Sequence, residues 1–305
     1  MAGLKELRNR IEAVKSTHKI TSAMKMVAAA RLRKAQIKIG TAENYQKAIL
    51  TAILRILADL HQEELEKKVF HILPEMMRPK KEVKKCLLLV FSSDKGLCGS
   101  YNSNINRKLL QEIEFFIKQN IEVKVFCFGK KAYDFLRHRK PELLLGIKED
   151  IAKKGPDFAE SSEIAQEIME MYKEHNFDIC SAIFSEFKTA ISRDIKTEQL
   201  LPIKIDESAL SAAEPINKFG DAYYGYEPDR LQMLEKLLPI IFVANIFEII
   251  TQSQASEYGA RMSAMDSATR NANEMISELT LKYNTIRQSA ITTELIEIIA
   301  GAEAI

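Results

Sequence analysis

Apolar residues recur at alternating steps of three and four positions near both ends of the chain. The first stripe begins at Leu4, and the second runs over about four heptads in residues 262–290. This spacing places one apolar row on each helix and is typical of a coiled-coil seam. The pattern therefore predicts long helices over residues 1–60 and 228–305.

Two positions are expected to disturb these helices. In the first helix the apolar stripe is interrupted near His18 and resumes at Ile20, Met24 and Val27, so we expect its buried face to shift there. Pro239 lies inside the second helical pattern. Because proline removes a helix hydrogen bond, it is expected to kink this helix or to begin a new segment.

The middle of the chain predicts a Rossmann-like α/β domain over residues 85–205. Runs of strand length at 86–91, 123–128 and 178–184 alternate with helical patterns at 104–118, 130–137 and 159–175. Such alternation is typical of a largely parallel sheet. Residues 200–205 are expected to add an edge strand, because Pro202 cannot donate to a ladder. Residues 61–84 and 206–227 are predicted to be connections.

Charge is distributed unevenly along the chain. The whole sequence has 44 Lys and Arg against 42 Asp and Glu, which disfavours a globally basic nucleic-acid-binding protein. Residues 1–59, however, carry a net charge of about +8, and residues 228–305 a net charge of about −4. We therefore expect the two terminal helices to fold back on each other in antiparallel orientation, forming a coiled coil beside the α/β domain.

The sequence contains no signal for membrane insertion or export. There is no run of 18 uncharged apolar residues, and neither a secretory signal nor a cleaved transit peptide is expected at the amino end. The four cysteines, Cys86, Cys98, Cys127 and Cys180, are widely spaced. They are predicted to be buried thiols in a reducing cytoplasm, and no metal site is expected.

The clearest candidate for chemistry is the turn containing Gly96 and Gly99, which follows the first predicted strand. A phosphate-binding turn would occupy this place, but Lys95 precedes the glycines and the spacing matches no phosphate motif. A tight strand-to-helix connection is the simpler interpretation. Cys98 has no nearby histidine in sequence to serve as a base. A nucleotide-binding enzyme with helical arms remains an alternative.

Two further features indicate binding rather than catalysis. Arg31, Arg33 and Lys34 form a basic cluster without interleaved aromatic residues, so nucleic-acid binding is disfavoured against a solvated helix face or docking to an acidic protein surface. Residues 291–305 are apolar on nearly all sides. A helix of this kind needs cover, which either the central domain or a socket formed by partner chains would supply.

Four segments resemble the γ subunits of F-type ATP synthases. They are residues 20–29 (ITSAMKMVAA), 93–102 (SDKGLCGSYN), 256–265 (SEYGARMSAM) and 283–292 (YNTIRQSAIT). They span the chain and occur in the family's order. The resemblance implies a non-catalytic rotor whose terminal helices form an antiparallel coiled coil inside a hexamer of α and β subunits. It also implies contacts with an ε subunit and with a membrane ring of c subunits.

The resemblance further implies roles for individual residues. Contacts with the hexamer are implied for Met24, Arg31, Arg33, Lys34, Arg261, Arg287, Gln288 and Thr292. Contacts of a foot with the c ring are implied for Tyr224, Tyr226 and Glu227. An apolar tip is implied for Leu295, Ile298, Ile299 and Ile305. Met24 lies where the family helix approaches an acidic β-subunit segment, which favours the acidic-surface interpretation of the basic cluster.

Departures from the family pattern refine this expectation. The tryptophan usual near the foot is missing, with Ala222 at about that place, and the regulatory insertion of chloroplast forms is absent. No catalytic, cofactor-binding or metal-binding residue is implied. The resemblance, together with the expected absence of a transit peptide, implies a peripheral subunit on the cytoplasmic face of a bacterial inner membrane.

Overall fold

The computed structural model describes residues 2–64, 74–80, 82–151, 155–189, 192–204, 227 and 229–303. Its elements are α1 (Ala2–Glu64), a 3-10 turn (Glu75–Met77), β1 (Lys85–Phe91), α2 (Tyr101–Lys118), β2 (Glu122–Phe128), α3 (Lys130–Arg137), a 3-10 turn (Pro141–Leu143), β3 (Leu144–Lys148), α4 (Phe158–Lys173), β4 (Ile179–Phe187), β5 (Arg193–Leu201) and α5 (Arg230–Glu303). The predicted fold class, two long terminal helices with a central α/β domain, is confirmed.

The central sheet has five strands in the order β3-β2-β1-β4-β5. The first four are parallel to their neighbours, and β5 runs antiparallel to β4 at the edge. The largely parallel sheet is therefore as predicted. The edge strand is not where it was predicted: β5 spans Arg193–Leu201 and shares only Leu200 and Leu201 with the predicted 200–205. Strand β3 was not predicted; its Gly146 lies so close to the Phe126 ring that a Cβ atom would be 2.8 Å from it.

Alternate residues of β1 supply two cores on opposite faces of the sheet. Leu87 and Leu89 pack with the buried side of α4 and with the amino-terminal part of α5. Leu88 and Val90 pack with α2 and α3 on the other face. A strand buried on both faces is continuously apolar, which explains why β1 was recognisable in the sequence.

The chain forms two compact units, one of Met1–Ala30 with Arg261–Ile305 and one of Arg31–Ala260. In the first unit α1 and α5 pair in antiparallel orientation. The hydroxyl of Thr269 donates to that of Thr21 at 2.9 Å, and Lys25 forms an ion pair with Asp266 at 2.6 Å. As the residue number rises along α1, that of its partner falls along α5.

The seam of α1 in this unit keeps a single 3-4 spacing past His18. The positions with this spacing that are buried or half-buried are Ile11, Val14, His18, Thr21, Lys25 and Ala28, and the neighbouring Ser22, Met24 and Ala29 are half-buried too. Ile20 and Val27 are instead 60% and 55% exposed. The predicted shift of the buried face is therefore wrong at Ile20 and Val27, whereas Met24 of the same predicted stripe is half-buried. Small and polar side chains fill much of the seam instead.

In the second unit the helices pair in the same orientation. The Gln46 amide donates to the Asn245 side chain at 3.0 Å, and Leu32, Ala35 and Ala42 of α1 are buried. A third apolar cluster joins later residues of α1 to the first turns of α5 around Leu234 and Leu238. Helix α5 continues through Pro239 without beginning a new segment.

Candidate functional site

All three residues of the basic cluster of α1 are exposed, but one of them also contacts another part of the chain. The Arg31 guanidinium donates to the Tyr258 hydroxyl at 3.4 Å and lies 5.7 Å from the centre of its ring. Arg33 and Lys34 are exposed. Arg31 therefore fastens α1 to α5, whereas Arg33 and Lys34 present positive charge to the surroundings.

In the first unit, the basic Lys25 of α1 forms an ion pair with the acidic Asp266 of α5. Its ammonium group donates a hydrogen bond to Asp266 and lowers the pKa of that carboxyl. Arg270, one turn further along α5, also forms an ion pair with Asp266 at 3.4 Å. Met24 is half-buried beside Lys25, and Arg261 is half-buried.

The last turns of α5 carry large apolar side chains that are exposed. Leu295 is 52% exposed, Ile298 70% and Ile299 55%. In the register set by Thr21 and Thr269, residues 291–303 extend past Ala2, the first described residue of α1.

Polar residues expected to meet a catalytic subunit precede this apolar end. Arg287, Gln288 and Thr292 are all exposed. The Thr292 hydroxyl donates to the Gln288 carbonyl at 2.9 Å, so it is bound to its own helix. The Arg287 guanidinium and the Gln288 amide thus lie on the same helix as the apolar side chains that follow them.

Three expected contact residues, Tyr224, Tyr226 and Ile305, lie outside the described residues, as does most of the 206–227 connection. Glu227 is described and is exposed. The predicted foot contacts therefore stay predictions.

The turn at residues 93–102 is a self-contained connection at the carboxyl end of β1. The Asp94 carboxylate accepts backbone N–H groups of Lys130 and Asp150 at 3.1 and 3.0 Å, which ties together the loops that follow three strands. The Asn102 amide donates to the Ser93 hydroxyl at 2.7 Å. The structure supports the interpretation as a tight strand-to-helix connection.

Helix α5 fills the crevice at the carboxyl ends of β1 and β4. This is where open α/β sheets bind ligands, because strand order reverses there. The Tyr101 hydroxyl donates to the Ser253 carbonyl at 3.2 Å, and Gln252 accepts the Phe187 N–H at 3.0 Å. The cavity left beside these residues measures about 50 Å³, far below the 300–1,000 Å³ of usual ligand pockets. The arrangement disfavours the nucleotide-binding alternative.

All four cysteines are buried free thiols, as predicted. Burial raises the pKa of Cys86 and of Cys127 to about 12. Since the thiolate is the reactive form, these thiols are inert at neutral pH. Cys98 is buried against Asn102, whose amide lies 3.1 Å from its sulphur.

Sequence reasoning missed the residues that fix the register of the helix pair. The partners of Thr21, Lys25 and Gln46 depend on the alignment of two segments far apart in the chain, which a helix period does not give. One signal was present: residues 251–256 (TQSQAS) interrupt an apolar helical pattern, and all six are buried. A polar segment of this kind marks the place where α5 meets the sheet and α2.

None of the helices in the described ranges combines the length and apolar character needed to cross a membrane. Within the same residues, no group of three or more His, Cys, Asp or Glu is arranged to hold a metal ion.

Comparison with known proteins identifies the family. The family model described as ATP synthase matches residues 3–305. The chain is 40% identical to the ATP synthase gamma chain of Rhizobium etli and 41% identical to that of Rhizobium johnstonii, in both cases over the full length of both chains. The chain belongs to the ATP synthase gamma chain family. The family resemblance of the four sequence segments is thereby confirmed.

Solved structures show the same fold. The chain matches one from the central stalk and c ring of the Tetrahymena thermophila mitochondrial ATP synthase with a TM-score of 0.59 at 24% identity, covering 82% of this chain and 99% of that one. It matches one from the Euglena gracilis mitochondrial ATP synthase, in a structure of OSCP, F1 and c ring, with a TM-score of 0.64 at 18% identity, covering 99% and 94%. The fold of this chain is thus also found in chains of these two mitochondrial ATP synthase structures.

Proposed function

We propose that this γ-family chain is the non-catalytic central-stalk rotor of a bacterial F1Fo ATP synthase. It couples ion flow through a membrane ring of c subunits to ATP synthesis or hydrolysis at a hexamer of α and β subunits. The active sites lie in the β partners, and the chain is a peripheral subunit on the cytoplasmic face of the inner membrane. An ε subunit accompanies it.

The uncovered apolar end of α5 is the observation that carries the proposal. Large apolar side chains at 52–70% exposure on one helix end favour a partner that encloses them. An apolar collar holds such an end without directional hydrogen bonds, so the end is free to turn within it. The exposed Arg287 and Gln288 supply polar contacts that are weak enough to break and reform at each step.

Co-purification from membranes tests the proposal. A tagged form of the full chain, expressed in the organism of origin, is expected to co-purify with α, β, ε and c chains. The purified material is expected to have ATPase activity. A tagged chain that is recovered alone, or that shows ATP hydrolysis without α and β chains, would contradict it.

A further inference from the structure

One charged group lies at the contact of α5 with two other parts of the second unit. Glu248 of α5 is half-buried. One turn before it, Asn245 accepts a hydrogen bond from Gln46 of α1. One turn after it, Gln252 accepts the backbone N–H of Phe187 at the end of β4. Residues three and four apart share a helix face, so Glu248 lies between these two contacts.

The charged groups that act electrostatically on Glu248 are mostly of its own charge. Helix α1 contributes Glu43, β4 contributes Glu186, and β5 contributes Glu198 and the single cation Lys196. That cation is shared, because Lys196 forms an ion pair with Glu186. An ionised Glu248 therefore meets three carboxylates and one ammonium group that is already engaged.

We propose that the contact of α5 with α1 and with the β4–β5 edge is a pH-responsive joint, closed while Glu248 is protonated and loosened when it ionises. The joint belongs to the fold of this chain and is independent of the proposed rotor function. Its structural consequence is a change in how firmly the helix pair of this unit is held to the edge of the sheet.

The physical basis is the cost of placing another negative charge at this contact. Burial, and then repulsion by Glu198, Glu43 and Glu186, raises the pKa of Glu248 from 4.5 to about 7, against the attraction of Lys196. At pH values between 4.5 and about 7, the Glu248 carboxyl loses its proton when the contact is open but keeps it when the contact is closed. Closing is therefore weakened as pH rises through this window and is most favourable at its acidic end.

Hydrogen exchange of the full purified chain tests the joint. Protection factors, corrected for the chemical exchange rate, are measured from about pH 5 to about pH 8.5. In the parent chain the segments covering residues 245–252 and 193–201 are expected to lose at least about tenfold in protection over this range. A segment from the middle of α2 serves as an internal reference and is expected to stay constant.

Charge-neutralising variants make the test specific. Glu248→Gln is expected to remain protected at every pH, whereas Glu235→Gln, at an exposed position of the same helix, is expected to respond as the parent does. Glu198→Gln is expected to move the midpoint to lower pH because it removes a repelling charge. Lys196→Met is expected to move it to higher pH.

The proposal is overturned by either of two results. One is a pH response of Glu248→Gln that equals the parent's. The other is a midpoint that does not move in opposite directions in the Glu198→Gln and Lys196→Met chains.

Discussion

Replacing two apolar side chains at the end of α5 by serine tests whether that end binds a partner. Ile298 and Ile299 are 70% and 55% exposed in the chain, so Ile298→Ser with Ile299→Ser removes little that is buried. Complete burial of an isoleucine is worth about 1.5–3 kcal/mol relative to exposure. Burying the exposed fractions of both isoleucines in a partner would therefore contribute about 2–4 kcal/mol to the free energy of binding.

This free energy corresponds to a loss of about 30-fold or more in affinity for the hexamer, because about 1.4 kcal/mol equals a factor of ten. The assay is a competition in which parent and variant chains carrying different labels assemble with a limiting amount of α and β subunits. The ratio of labels in the purified complex reports relative affinity. The melting temperature of the isolated variant is expected to match the parent's.

Phe115→Ser provides a matched control. Phe115 is 53% exposed on α2, so the substitution removes a comparable apolar surface from the central domain, and it is expected to compete equally with the parent. Equal incorporation of the Ile298→Ser, Ile299→Ser chain and the parent would refute the binding role of the helix end.

Three further predictions concern the helix pair and its partners. Cysteines replacing Thr21 and Thr269, whose hydroxyls are 2.9 Å apart, are expected to form an intrachain disulfide on oxidation, seen by mass spectrometry; its absence would contradict the antiparallel register. Arg287→Ala or Gln288→Ala is expected to lower ATP synthesis by membranes more than subunit assembly, and synthesis equal to the parent's would count against this role. Removal of the residues from Gly301 onward is expected to weaken the contact of the apolar end with its collar yet leave some rotation in a single-molecule assay. Complete loss of assembly would contradict this prediction.

The fold was predictable where the pattern of apolar residues in the sequence matches the residues that the structure buries. Strand β1 is apolar from Cys86 to Phe91 because both of its faces are covered there. The opposite net charges of the two ends of the chain predicted that the terminal helices pair. Strand β3 lacked such a signal, because its residues are half-buried or exposed and Gly146 interrupts the run. Its position is determined by pairing with β2, which is a tertiary contact.

The surface of α1 shows why part of the site was misread. Apolar residues such as Ile20 and Val27 were assigned to the seam, although the structure exposes them. The seam accepts Thr21 and Ala28 because closely packed helices need small side chains. Apolar side chains occur on the exposed face of α1 as well as in its seam, so hydropathy alone does not distinguish the two faces.

Single-molecule observation of rotation tests the central claim most directly. Because the four native cysteines are buried, a cysteine at the exposed Ser103 of α2 gives one attachment point for a probe on the chain assembled with immobilised α and β subunits. The account predicts stepwise rotation of the probe in one direction when ATP is added. ATP hydrolysis by the same complexes with a stationary probe would contradict it.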